Sequence, residues 1–236
     1  MMYFYQQKSF FSDKDLDALL LVNPDNPSGN LIPVDDVLGL EEWCAGKGIR
    51  LVVDESFVDF SEGFENNSLL HNDILEAHPM MVVMKSISKS YGVPGLRLGV
   101  LASADTELIK AMKKDVAIWN INSFAEFYMQ IFGKYEKQYA EPCRMFMAER
   151  ERFRSRLEGI PFLRVIPSQA NYFLCEVLSP MTSESLTARL LKDFNIMIKD
   201  CSTKKGFEGR SYVRIAVRGT QDNDRLADSL ASYLSE

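Results

Sequence analysis

Histidine is scarce in this chain: there are two, His71 and His78, among 236 residues. Both lie in a stretch that reads as a loop, which argues against a Ser-His-Asp hydrolase, whose nucleophile needs an imidazole beside it. The four cysteines, Cys44, Cys143, Cys175 and Cys201, are widely spread and form no CxxC pair. No metal site is expected from them, and reduced thiols are. No apolar run approaches the roughly 20 residues needed to span a bilayer. Net positive charge is missing too: the formal net charge is −6. That balance argues against a nucleic-acid surface and against an anionic membrane. No GxGxxG opens a helix, which disfavours a nicotinamide cofactor. Residues 1–11 are aromatic but lack a basic region followed by an apolar stretch. No signal peptide is therefore expected, and the expected location is cytoplasmic.

What remains is an ordinary globular composition. Hydrophobic residues make up 46% and charged residues 25%, and 236 residues are enough for one large domain or two small ones. Leu19-Leu20-Leu21-Val22 is a short apolar run ended by Asn-Pro, which reads as a buried strand and a loop. Residues 34–47 carry apolar side chains at helical spacing (Val37, Leu38, Leu40, Trp43, Cys44), and Gly46 and Gly48 mark the end. Residues 49–53, 80–85 and 98–102 read as three further buried strands. Buried strands alternating with helices predict a parallel sheet with helices on both faces.

The second half reads differently. Residues 105–119 and 124–157 are dominated by helical patterns, the latter interrupted near Pro142. Short strands at 162–166, 172–177 and 211–217 then alternate with helices at 183–194 and 222–234. This predicts a mostly parallel α/β large domain over residues 1–130 and a small α+β domain over 131–236.

Three loops carry candidate chemistry, each directly after a strand. Asn23-Pro24-Asp25-Asn26-Pro27-Ser28-Gly29 forms a Pro- and Gly-bounded turn at a strand's carboxyl end, where open α/β sheets bind ligands. Alone it is as easily a plain turn. Asp54 ends the next strand, where an acid faces a ligand or caps a helix. Ser86-Ile87-Ser88-Lys89-Ser90-Tyr91-Gly92-Val93-Pro94-Gly95-Leu96-Arg97-Leu98-Gly99 brings hydroxyls, one lysine and one arginine to a glycine-rich turn. Hydroxyls and a guanidinium suit a phosphate, and a lysine near other cations loses its proton more easily and suits imine formation. A solvated lysine on a basic turn is the bland alternative.

The three loops in this order resemble the fold-type-I pyridoxal-phosphate enzymes. Within them the chain is similar to the branch of histidinol-phosphate aminotransferase and L-threonine-O-3-phosphate decarboxylase. The resemblance implies that Lys89 carries pyridoxal 5'-phosphate covalently and that Asp54 keeps its pyridine nitrogen protonated. It implies that Asn26 bonds the phenolic oxygen, that Ser86 and Arg97 hold the phosphate, and that Ser88 adds a hydroxyl. Arg214, in Tyr212-Val213-Arg214-Ile215-Ala216-Val217-Arg218, is implied to fork on the substrate carboxylate.

The aspartate motif of such enzymes usually reads Asp-Glu-x-Tyr, whereas here it is Asp54-Glu55-Ser56-Phe57. Phe57 cannot donate the tyrosine's hydrogen bond, and this departure resembles the decarboxylases. Trp119-Asn120-Ile121-Asn122 and Gln169-Ala170-Asn171-Tyr172 lean the same way, with Asn171 implied at the substrate. Trp119 and Tyr172 are as readily core aromatics. Lys199 stands where the decarboxylase pattern has an arginine for the substrate phosphate; it binds as a point charge, not a fork.

The expected reaction is decarboxylation of L-threonine O-3-phosphate to aminopropanol phosphate, a step in cobalamin biosynthesis, by a homodimer. A histidinol-phosphate-type aminotransferase and a non-catalytic fragment or interaction module are the alternatives. Enzymes of this kind carry about a hundred further residues upstream, including a glycine-rich phosphate loop and an aromatic that stacks on the cofactor. Without them the sheet is expected to expose an edge.

Overall fold

The computed structural model describes residues 10–207 and 209–234, and no side chain is described at 136 and 137. Most of the 1–11 stretch read for a leader thus lies outside the described residues. The chain divides into two compact units: Met1–Pro24 with Leu31–Ala140, and Asp25–Asn30 with Glu141–Glu236.

The first unit is built on one four-stranded sheet in the order β1 (Ala18–Val22), β2 (Arg50–Asp54), β3 (Met81–Ser86), β4 (Gly99–Ala102). β1, β2 and β3 run parallel, with Val22 beside Asp54 and Asp54 beside Met84. β4 departs from the parallel expectation: it pairs antiparallel to β3, with Gly99 opposite Ser86. An added Cβ at Gly99 would come within 3.2 Å of the Lys85 carbonyl oxygen, so the close approach needs glycine. Helix α1 (Val34–Ala45) sets Val37, Leu40 and Cys44 on one face, and they pack with Leu51, Val53, Met81 and Val83. Each such fully buried side chain contributes roughly 1.5–3 kcal/mol.

β1 is not the buried strand its apolar run predicts. Leu20 is 60% exposed, because among the described residues β1 ends the sheet and only β2 flanks it. The two histidines bracket a short helix, α2 (Asn72–Ala77), rather than a loop. His78 Nδ1 lies 2.5 Å from Glu41 Oε2 and ties α2 to α1. Helix α3 (Ile87–Ser90) is a single turn that continues β3. Helix α4 (Thr106–Asp115) opens on Asp105, whose carboxylate accepts the Glu107 and Leu108 N–H groups. It stops before Ile118 and Trp119, which are 94% and 90% exposed, so Trp119 is no core aromatic here. Helix α5 (Ser123–Phe132) follows and is capped by Asn122. The expected break at Pro142 does not occur. Helix α6 (Glu136–Glu158) runs through it, and the break falls at Gly133, which closes α5. Pro142 is exposed, so the carbonyl that loses its N–H partner can turn to water.

The second unit holds an antiparallel sheet ordered β5 (Leu163–Val165), β6 (Tyr172–Val177), β8 (Tyr212–Ala216), β7 (Lys199–Asp200). Helices α7 (Ser183–Phe194) and α8 (Thr220–Ser232) and the end of α6 cover it. Phe153 and Leu157, Phe173 and Cys175, Leu186 and Leu190, Val213 and Ile215, and Leu230 form its core, all fully buried. α7 begins with a reciprocal box between Thr182 and Ser185 and ends on Asn195 at φ 53.

An ionic lattice fastens α6 to α8. Arg152 grips both oxygens of Glu149 at 2.8 and 2.9 Å and reaches Asp224 at 2.8 Å. Asn223 and Thr220 also donate to Glu149, at 2.7 and 2.9 Å. The Arg152 guanidinium, with help from Asn223 and Thr220, holds the Glu149 carboxyl down at about 2, below its ordinary 4.5. A depressed folded value means the stabilisation is complete above pH 4.5 and is lost as pH falls toward 2. Thermal unfolding followed against pH should therefore show a stability loss in that window, and Glu149→Gln should flatten it.

Candidate active site

The parallel register brings the carboxyl ends of β2 and β3 side by side, and both carry polar residues. Asp54 closes β2; its Oδ1 accepts the Ser56 N–H at 2.9 Å. Ser86 closes β3, and its own N–H donates to Ser56 Oγ at 2.9 Å. The Ser86 side chain makes no capping bond to α3. Asp54, Ser56, Ser86, Ser88 and Arg97 line one open cleft of about 410 Å³ together with the Gly99 end of β4. That volume is within the range of small-molecule sites. The acid and the hydroxyl–guanidinium group thus share one cavity.

Two of the expected residues are more constrained than their motif implies. Ser88 is buried, and its hydroxyl donates to the Leu98 carbonyl at 3.2 Å while accepting the Leu98 N–H at 3.1 Å. It fastens the turn. Arg97 sits at φ 54, in the left-handed region, with Nη1 3.3 Å from the Pro94 carbonyl oxygen. A non-glycine residue there costs roughly 1–2 kcal/mol, and such strain clusters at ligand clamps.

Lys89 stands exposed on α3, and its Nζ lies 3.9 Å from the centre of the Phe57 ring. A cation over an aromatic face is held by the ring quadrupole. Phe57 itself is buried. It offers the amine a face and no hydroxyl.

Sequence reading passed over the buried polar cluster beneath this turn. Lys85 Nζ meets Asp59 Oδ1 at 2.7 Å, and both side chains are nearly shielded from solvent. Glu55 accepts from Ser68 Oγ at 2.6 Å and from the Leu69 N–H at 2.8 Å. Burial pushes its carboxyl above the ordinary range, and the Ser68 and Leu69 bonds pull the other way. Glu55 and Asp59 adjoin the aspartate motif in sequence, but their burial and partners come from pairing over 13 to 31 positions. Ser56 was likewise unmarked as a cleft residue.

The other candidates belong to the second unit. Arg214 Nη1 donates to Asn26 Oδ1 at 2.8 Å, and its guanidinium carbon lies 5.1 Å from the Tyr172 ring centre. Tyr172 donates its hydroxyl to the Asp25 carbonyl at 2.8 Å. Tyr172 thus holds the Asp25–Asn30 loop that carries Asn26. Gly29, at φ +74, lies against Ser168, where an added Cβ would come within 1.9 Å of Ser168 Oγ. Lys199 is exposed and is the cross-strand partner of Arg214. Like charges directly opposite repel. Asn171 uses its backbone carbonyl to accept the Val217 N–H at 2.9 Å.

Among the described residues, no group of three or more His, Cys, Asp or Glu side chains could hold a metal ion. No helix among them is long and apolar enough to cross a membrane. The four cysteines are buried and form no disulfide.

Comparison with known proteins defines the class. The model of the aminotransferase class I and II family matches residues 11–230, and the chain belongs to that family. Its members use pyridoxal 5'-phosphate. Similar curated proteins include CMP-5'-(3-aminopropyl)phosphonate synthase of Streptomyces rubellomurinus, 32% identical over 96% of this chain and 35% of its own length. L-serine phosphate decarboxylase of Sulfurospirillum multivorans is 30% identical over 96% of this chain and 58% of its own length. Threonine-phosphate decarboxylase of Salmonella typhimurium is 32% identical over 94% and 58%. A solved decarboxylase from Sulfurospirillum multivorans superposes with a TM-score of 0.89 at 28% identity, over 98% of this chain and 65% of that one. The chain therefore spans between about a third and 58% of these curated relatives.

The cleft fits the family's cofactor chemically. An acid at one strand end suits a protonated pyridine, and Ser86 with Arg97 suits a phosphate. Arg97→Gly separates the backbone strain at that residue from the phosphate contact that its place in the cleft suits. It should raise folding stability by about 1 kcal/mol by relieving the left-handed backbone, while weakening pyridoxal-phosphate affinity about tenfold or more through loss of the guanidinium. Denaturant unfolding and a binding titration on the same protein check both signs.

Proposed function

We propose that this chain is part of a pyridoxal-phosphate-dependent decarboxylase of amino-acid O-phosphates. The observation that carries the reading is the single cleft joining Asp54 to Ser86 and Arg97, at the base of the turn that bears Lys89. Bound there, the cofactor supplies an electron sink for the bond broken at the substrate's α-carbon. Asp54 holds a proton on the ring nitrogen, and Ser86 and Arg97 neutralise the phosphate. Lys89 Nζ is the amine that carries the cofactor and moves protons at the α-carbon. Phe57 places an apolar face beside that amine and leaves the phenolic oxygen without a tyrosine donor, so Asn26 is the donor in this reading. Arg214 takes the substrate carboxylate, Lys199 its phosphate, and Asn171 adds a polar contact.

L-Threonine O-3-phosphate is the proposed substrate and aminopropanol phosphate the product, which places the reaction in cobalamin side-chain synthesis. The relatives named as threonine-phosphate and L-serine phosphate decarboxylases support the phosphoamino-acid class. A homodimer is proposed as the working assembly. One observation favours a second reading, a histidinol-phosphate-type aminotransferase: Lys199 provides a point charge where the decarboxylase pattern has a guanidinium fork.

Carbon dioxide release from L-threonine O-3-phosphate, measured with pyridoxal phosphate and without any oxo acid, tests the proposal. Release that falls about a hundredfold or more in Lys89→Ala is expected. Glutamate formation that requires 2-oxoglutarate, with no carbon dioxide, would establish the aminotransferase instead. Absence of both, with no cofactor bound, would identify the chain as a catalytically incomplete piece.

A further inference from the structure

The segment that carries Lys89 is weak on its own. α3 is four residues long, and the backbone bond at its end, from the Tyr91 N–H to the Ile87 carbonyl, is long at 3.3 Å. A lone helical turn in water is strongly disfavoured. Something outside the turn must hold it.

Asp59 does so from below. It is 5% exposed and sits in the 3-10 turn Val58–Phe60 that follows β2. Its Oδ1 takes the Lys85 ammonium at 2.7 Å. Its Oδ2 accepts the Ser90 hydroxyl at 2.6 Å. Lys85 is the next-to-last residue of β3, and Ser90 is the last of α3. One carboxylate therefore grips the chain just before and just after the Lys89 turn. Bonds to an ionised acceptor are about twice as strong as neutral ones. Other fasteners hold its sides: the Ser86 N–H on Ser56 Oγ, the Ile87 N–H on the Leu98 carbonyl, and Ser88 on Leu98.

We propose that Asp59 is a positioning residue for Lys89: by bridging Lys85 and Ser90 it fixes the turn that presents the amine over the Phe57 ring. The proposal rests on Lys89 being the cofactor-bearing residue. Asp59 acts only through the two residues it holds. It touches neither cofactor nor substrate in this account.

Ser90→Ala is the cleanest test, because it removes the 2.6 Å bond and leaves the buried Lys85–Asp59 pair intact. Asp59→Asn is a second variant, but it strands the Lys85 ammonium in the interior and carries a folding cost. Two readouts are needed. Amide hydrogen exchange over residues 86–91 reports the clamp, and the rate of borohydride-trapped pyridoxyl label on Lys89 reports the aim of the amine.

The expected result for Ser90→Ala is exchange about tenfold faster over 86–91, with a slower labelling rate and a thermal midpoint lowered by only about 2–4 °C. Ser90→Thr, which restores a hydroxyl, should recover both. Unchanged exchange in Ser90→Ala would overturn the clamp. Faster exchange with a wild-type labelling rate would overturn the positioning role and leave a merely structural bond. If the wild-type chain takes no label at Lys89, the cofactor reading itself falls and the positioning role with it. The wild-type arm separates that failure from a failure of the clamp.

Discussion

The in-register parallel pairing of β2 with β3 is the constraint on which the candidate site depends. It sets Asp54 beside Met84, so the polar residues that end the two strands emerge together at one edge of the sheet. Everything placed around the cleft follows from that edge. The Ser56 hydroxyl links the two strand ends through the Ser86 N–H. β4 returns antiparallel and brings Gly99 opposite Ser86, which closes the cleft on the side of Arg97. A one-residue slip of β3 would turn Ser86 to the opposite face and separate it from Asp54.

That edge is supported by charges in unusual places. Lys85 and Asp59 are both buried, and each alone would carry a large desolvation penalty. Paired, and with Ser90 on the second carboxylate oxygen, they hold the Lys89 turn in a fixed conformation. Glu55, equally buried, is anchored to Ser68 and Leu69. Interior polar groups of this kind stabilise only when every member has its partner. Their value here lies in specifying one geometry for a turn too short to specify itself.

Much of the architecture is legible in the residues. Apolar runs with turn residues at each end located β2, β3, β6 and β8 to within a residue or two, and helical spacing located α7 over residues 183–194. Two of the three loops that follow strands pointed to Asp54, Ser86 and Arg97, which the structure gathers around one cleft, whereas Asn26 of the remaining loop belongs to the second unit. What stayed hidden depends on distant partners. The antiparallel direction of β4 is not written in its residues. Neither is the exposure of Leu20, which follows from β1 lying at the end of the sheet. Pro142 reads as a breaker, but an exposed helix tolerates it. The Arg214–Asn26 bond joins residues 188 positions apart, and Lys199 opposes Arg214 only through the register of β7 on β8. Lys85 sits inside an apolar run, where nothing local announces that an aspartate 26 positions away will receive it.

The central claim is that the ends of β2 and β3 cradle a flat anionic heterocycle. A crystal structure of the chain soaked with pyridoxal 5'-phosphate tests it most directly. The account predicts the pyridine nitrogen within hydrogen-bond distance of the Asp54 carboxylate, the phosphate on Ser86 and Arg97, and continuous density to Lys89 Nζ. A ring bound elsewhere, or a phosphate remote from Ser86 and Arg97, would contradict it.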